Sequence, residues 1–160
     1  MNTKSPDVKT DVEKALSQAG INDIKVAQDR DKGIITLSGD VPTDADKEKA
    51  DYVTKSVSGS AVVSNQIGVR PAGFESQAKN IDSSLDAAIE KNFEASLIFK
   101  QVDKDVKYDV KNGVLTLKGD VNSQNKRHDL ETLAASIPNV QQVINQLQVK
   151  DQRATATSPN

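Results

Sequence analysis

The sequence predicts an α+β protein built from two tandem α-β-β-α-β modules, each a three-stranded mixed sheet with two helices packed on one face. Three observations carry that prediction. Residues 33–41 read GIITLSGDV and residues 113–121 read GVLTLKGDV, identical at six of nine positions and eighty residues apart. The same spacing continues without a gap: Thr43 falls on Ser123, Val53 on Leu133, Val57 on Ile137, Val63 on Val143, Asn65 on Asn145, Ile67 on Leu147 and Val69 on Val149. In both copies the apolar residues also switch from helical spacing to alternation at matched places. A repeat of this kind fixes the architecture before any single element is assigned.

Each copy opens with a helix. In the first, Val8, Val12, Ala15, Leu16 and Ala19 lie at helical spacing, with Ser5 as the expected N-cap, Pro6 at the first helical position and Gly20 as the stop. In the second, Leu85, Ile89, Phe93 and Leu97 recur every four residues behind Asp82 or Ser83. A hairpin follows. In the second copy Val106, Tyr108 and Val110 alternate with charged residues, Asn112-Gly113 supplies a two-residue turn, and Leu115 and Leu117 alternate with Thr116 and Lys118. That register sets Val110 opposite Leu115 and Tyr108 opposite Leu117. The first copy has a longer turn here, residues 29–33, closed by Gly33.

Thr43 and Ser123 then stand where N-caps belong, and Leu130, Leu133, Ala134 and Ile137 form an i, i+3, i+4, i+7 stripe. The second helix stops near Ser58-Gly59 in one copy and Pro138-Asn139 in the other. Alternating Val63, Asn65, Ile67, Val69 and Val143, Asn145, Leu147, Val149 make a last strand, which a right-handed crossover sets parallel to its neighbour. The expected modules are residues 5–70 and 80–150. Residues 71–79, with Pro71 and Gly73, read as a polar linker, and 151–160, without apolar periodicity, as a disordered tail.

Composition narrows the function. Lys and Arg number 21 against 23 Asp and Glu, the net charge is -2 and the pI near 5.4. Neither copy holds a basic excess, so nucleic acid is not an expected partner. The absence of cysteine excludes disulfides, thiolate metal sites and cysteine nucleophiles. With 36% hydrophobic residues, three Phe and two Tyr, the cores are small, and each module should be modestly stable by itself. No apolar run reaches the length of a membrane span, and residues 1–9 lack the apolar core of a secretory signal.

No residue set signals catalysis, a metal or a cofactor. His128 is the sole histidine, sits beside Arg127 and Asp129 in a helix, and fits a structural or solvated role. The serines have no G-x-S-x-G setting. Asp29, Asp31 and Asp40 touch a calcium-loop register, but Ile34 stands where it demands Gly and Gly33 where it demands an oxygen ligand, so a charged turn is the reading. Gly39-Asp40 and Gly119-Asp120 recur at the strand ends, where Gly allows close backbone approach and Asp is expected to bond nearby amides. Asn65 and Asn145 keep phase with apolar neighbours and are expected to satisfy backbone groups at the packed face or its margin.

The copies differ in their first helix. The second carries Phe93, Leu97, Ile98 and Phe99, with Lys91, Lys100 and Lys104 around them and Glu90, Glu94, Asp103 and Asp105 interspersed. One helical face does not bury all four apolar residues. Either Ile98 and Phe99 close the helix end under the linker, or they form a contact for lipid or for the other module.

A short helix, a hairpin with G-x-x-x-L-x-G at Gly33/Leu37/Gly39 and Gly113/Leu117/Gly119, a second helix and a final V-x-N-x-I/L-x-V strand through Asn65 and Asn145 together resemble the BON domain (bacterial OsmY and nodulation), twice over. The resemblance implies a non-enzymatic α+β module of bacterial envelope proteins, associated with osmotic stress, membrane integrity and phospholipid surfaces. A cytoplasmic relative that senses potassium joins this domain to a LysM domain, and no LysM-like segment occurs here. The expected function is therefore a non-catalytic envelope protein, monomeric or weakly oligomeric. It would bind phospholipid surfaces or an envelope protein through Lys91, Phe93, Ile98, Phe99, Lys100 and Lys104. Potassium binding or osmotic sensing is the alternative. The compartment would be periplasmic if a signal peptide has been removed and cytoplasmic otherwise.

Overall fold

A computed structural model describes residues 4–101, 106–149 and 153–158. The chain divides into two compact units, Thr3–Asp82 and Ser83–Asn160.

In the first unit α1 (Lys9–Gln18) precedes β1 (Ile24–Asp29), β2 (Ile34–Val41), α2 (Asp44–Ser58), β3 (Val62–Asn65) and β4 (Gly68–Val69). β1 pairs antiparallel with β2, and β3 and β4 pair parallel with it as two pieces of one interrupted strand. Val12 and Leu16 of α1 and Ala50 of α2 pack with Val26, Ile35, Leu37, Val63 and Ile67, so both helices cover the same sheet face.

The start of α1 differs from expectation. Ser5 is not its N-cap; the helix begins at Lys9. The Ser5 N–H donates to the Arg30 carbonyl at 2.9 Å while Arg30 Nε donates to the Ser5 carbonyl at 2.7 Å. Gln28 likewise brackets the segment, donating to the Pro6 carbonyl at 2.8 Å and accepting from the Val8 N–H at 3.1 Å. Four bonds to the hairpin outweigh the one or two a cap would make.

In the second unit α3 (Glu75–Phe99) leads from the last turns of the first unit into β5 (Val106–Lys111), β6 (Val114–Asp120), α4 (Gln124–Ala135), β7 (Gln142–Gln148) and β8 (Thr155–Thr157). The hairpin has the expected register, with Val110 opposite Leu115 and Tyr108 opposite Leu117, and Asn112 and Gly113 both take positive φ, 47° and 81°. Asp86 of α3 pins that turn, accepting from the Asn112 and Gly113 N–H groups at 2.8 and 2.9 Å. The caps of the second helices also match: Thr43 accepts from the Asp46 N–H and Ser123 from the Lys126 N–H, both at 3.1 Å.

Three differences stand out. The linker 71–79 is helical from Glu75 onward, because no Pro or Gly lies between Gly73 and Gly113 and Glu75 brings an acid to the first turn. The tail expected to be disordered supplies β8, antiparallel to β7, so the second sheet has four strands rather than three. Residues that alternate with the core-facing ones are also buried: Ile34 and Ser64 in one unit, Val114, Thr116 and Ile144 in the other.

Candidate functional site

The helical spacing of Ile89, Phe93 and Leu97 decides which face of α3 turns inward. Phe93 is 0% exposed and stacks edge-on against Tyr108, ring centroids 5.0 Å apart. It is therefore a core residue and not a surface contact, which corrects its assignment as a lipid- or partner-binding side chain. Ile98 and Phe99 follow 100° and 200° around the helix from Leu97 and leave that face. They are 70% and 83% exposed, so they do not pack under the linker. Lys91 and Lys100 are exposed as well, and Lys104 lies outside the described residues.

Lys100 borders an open groove of about 590 Å³ along α4, floored by Leu130 and Leu133 and rimmed by Lys126, Asp129, Thr132 and Ser136. The end of α3 thus carries two exposed apolar side chains, and Lys100 just after it borders the apolar-floored groove together with Lys126. Such a surface can enter a greasy interface while its ammonium groups meet phosphate. Glu90 and Glu94 are exposed on the same helix and oppose that attraction. His128 is exposed on α4. Among the described residues no group of three or more His, Cys, Asp or Glu is placed to hold a metal ion. No helix there is long and apolar enough to cross a membrane.

The repeated motif residues hold each module together. Leu37 and Leu117 are 0% exposed in the two cores. Gly33 closes the first hairpin turn at φ 72°, where the Asp29 carboxylate accepts from the Asp31 and Lys32 N–H groups. Gly39 and Gly119 sit at φ 120° and 124°, and a Cβ at Gly39 would stand 2.5 Å from the Asp23 carbonyl oxygen. Asn145 is 0% exposed; its amide donates to Glu131 Oε1 at 2.9 Å and its oxygen accepts from the Leu147 N–H at 3.0 Å. Asn65 repeats the pattern, donating to the Lys47 carbonyl at 3.2 Å and accepting from the Ile67 N–H at 3.3 Å.

Asp40, expected to bond nearby amides, forms an ion pair with Arg70. It faces the Arg70 guanidinium at 3.6 Å, and Arg70 also donates to Asp82. Gly68 makes room, since a Cβ there would stand 2.5 Å from Arg70 Nη2. Lys47 lies near this group, and burial pushes its ammonium below the ordinary lysine value against the charges of Asp82 and Asp44.

The second module has a polar centre that no sequence motif marks. Arg127 is 7% exposed and donates to the carbonyls of Leu147 at 2.8 Å, Asn145 at 3.0 Å and Arg153 at 3.4 Å. Glu131, one turn on, accepts from Asn145, from Thr155 Oγ1 at 3.1 Å and from Thr157 Oγ1 at 2.6 Å. Burial pushes the Glu131 carboxyl up, but the hydroxyls of Thr157 and Thr155, the Asn145 amide and the Arg127 charge hold it below the ordinary carboxylate value. The signal for this pair lay in the repeat itself: at the eighty-residue spacing a cation, Lys47, and an acid, Asp51, recur in the first copy.

The two-helix, mixed-sheet unit, with a strand Asn bonded to the second helix and a strand-end Gly, defines one class of domain. Residues 5–71 and 81–151 each match the BON domain, and the chain belongs to that family. Over 122 residues it is 33% identical to the Osmotically-inducible protein Y of Escherichia coli (strain K12), an overlap covering 75% of this chain and 59% of that protein. The chain thus matches little more than half the length of that relative. Among solved structures, the C-terminal domain of CdsD, the structural protein of the type III secretion system of Chlamydia trachomatis, aligns over 91% of this chain and 98% of its own at 15% identity. The TM-score is 0.36, too low to bear on function.

Proposed function

We propose that this chain is a non-catalytic binding protein of the bacterial envelope, acting in osmotic or envelope stress, and that its second module attaches to anionic phospholipid surfaces. The membership in the BON family and the similarity to an osmotically inducible protein support the stress role. The observation that carries the lipid reading is the exposure of Ile98 and Phe99, at 70% and 83%, next to Lys100 and the groove that Lys126 rims. Each lysine near an anionic surface contributes about 1 kcal/mol, and the nearby glutamates offset part of it. Binding is therefore weak, salt-sensitive and dependent on the apolar contact.

Co-sedimentation with vesicles of phosphatidylglycerol and phosphatidylcholine, against phosphatidylcholine alone, tests this. The chain should pellet with the anionic vesicles at low salt and be released as salt rises. Phe99→Asp should weaken binding by about tenfold or more and leave the fold intact, because Phe99 is 83% exposed. Equal pelleting with both vesicle types, or unchanged binding by Phe99→Asp, refutes the assignment of this surface.

A further inference from the structure

β8 is only three residues long, yet α4 reads it side chain by side chain. Its backbone pairs Thr155, Ala156 and Thr157 with Asn145, Ile144 and Val143. A strand turns alternate side chains to one face. Here both hydroxyls on that face meet one carboxylate, Thr155 on Glu131 Oε1 at 3.1 Å and Thr157 on Oε2 at 2.6 Å. Arg127 holds the strand's approach through the Arg153 carbonyl, and Ala154 is 5% exposed. Glu131 thus accepts two hydroxyl donors two residues apart. A valine in either place fills the same space without donating, and an aspartate or phosphothreonine would be repelled. The first module lacks this reader, because Asp51 stands at the equivalent place, one methylene shorter, and pairs with Lys55 at 2.8 Å. Among the described residues the site occurs once.

We propose that the β7 edge is a strand-acceptor site and that a second copy of this chain supplies the strand, each copy's tail leaving its own β7 for that of the other. The sequence that fits is carried by every copy. Exchange remakes the same ladder, the same two hydroxyl bonds and the same bond from Arg127, so it is nearly neutral in contacts. A three-residue edge strand with Thr155 and Ala156 exposed opens at low cost. In a single copy the tether gives the resident tail a high effective concentration, so exchange is favoured where copies are crowded or where the resident tail is disabled.

Complementary variants test it. Thr155→Val/Thr157→Val keeps the acceptor edge and disables the tail; Glu131→Ala keeps the tail and disables the edge. Mixed at equal concentration they should sediment as a heterodimer at least about tenfold below the concentration at which either alone self-associates. A mixture that sediments as its two components overturns the proposal. Should Glu131→Ala fail to fold, the peptide acetyl-RATATS-amide added to the full-length Thr155→Val/Thr157→Val chain decides. It should shift the amides of residues 143–147 and bind at least about tenfold more tightly than RAVAVS, and more tightly than it binds the wild-type chain. Equal binding of both peptides, no binding of either, or equal binding to wild type refutes the site.

Discussion

The two modules place a cation, an acid and an asparagine at matching positions: Lys47, Asp51 and Asn65 in the first, Arg127, Glu131 and Asn145 in the second. They use them differently. Arg127 presents a planar fork that reaches the carbonyls of Asn145 and Leu147 in β7 and of Arg153 beyond it, so one side chain fixes both the last strand and the tail. In the first module the long side chain comes instead from the strand end, where Arg70 folds over Gly68 onto Asp40 and Asp82. Gln148 stands at the Gly68 position in the second copy, and a side chain there closes that route. The fold keeps an asparagine under each second helix, while the element that supplies the buried guanidinium, and the segment it holds, differ.

The sharpest way to break this comparison is to remove the cations. Arg127→Ala leaves the buried carbonyls of Leu147 and Asn145 without their donor, and should cost about 3 kcal/mol in the second module. Lys47→Ala should cost the first module about 1 kcal/mol or less, since it also relieves a desolvated ammonium. Urea unfolding of the full chain, followed by NMR at Gly113 and Gly33, reports each module separately. Equal losses would show that the two cations do the same work.

Next come the asparagines. Asn145→Ala should cost about 2 kcal/mol, because Asn145 is 0% exposed and both the Leu147 N–H and the Glu131 carboxylate lose a partner. Asn65→Ala should cost about 1 kcal/mol, its side chain being only partly buried and its bonds longer, at 3.2 and 3.3 Å. The same two-probe unfolding measurement ranks them.

Removal of Arg70 has a smaller effect. Asp40 and Asp82 keep 48% and 30% of their side-chain surface in solvent and regain hydration when the guanidinium goes. Arg70→Met should cost about 1 kcal/mol, seen at Gly33 and not at Gly113.

What the sequence showed, and what it hid, follows from the range of the interactions. The Asn112-Gly113 turn is legible because two adjacent residues at positive φ dictate it. The caps at Thr43 and Ser123 are legible because donor and acceptor lie three residues apart. Ser5 misled because the partners that outcompete helix capping, Gln28 and Arg30, lie more than twenty residues away. β8 was hidden for a related reason: Thr-Ala-Thr has no apolar alternation, and its strand forms because a carboxylate on α4 takes both hydroxyls. For Ile98 and Phe99 the periodicity showed that one face was already full with Ile89, Phe93 and Leu97. It did not show whether the linker covered the remainder, and a helix beginning at Glu75 leaves the linker too short of free chain to do so.

The smallest effect separates the tail from the module beneath it. Three donors, Asn145, Thr155 and Thr157, hold Glu131 as a carboxylate below its ordinary value. A depressed folded pKa means that this contribution is complete above the ordinary carboxylate value and disappears as pH falls through the folded one. Protonation removes one acceptor, and Thr155 and Thr157 then compete for what is left. Intrinsic-rate-corrected hydrogen exchange should therefore show β8 amides losing protection on acidification before those of β6, which is paired on both sides by β5 and β7. Glu131→Gln, with its single acceptor, should lower β8 protection at neutral pH and flatten its response to acid. If β8 and β6 lose protection together in the wild-type chain, the tail is part of the module's cooperative core, and Glu131 is one support among many.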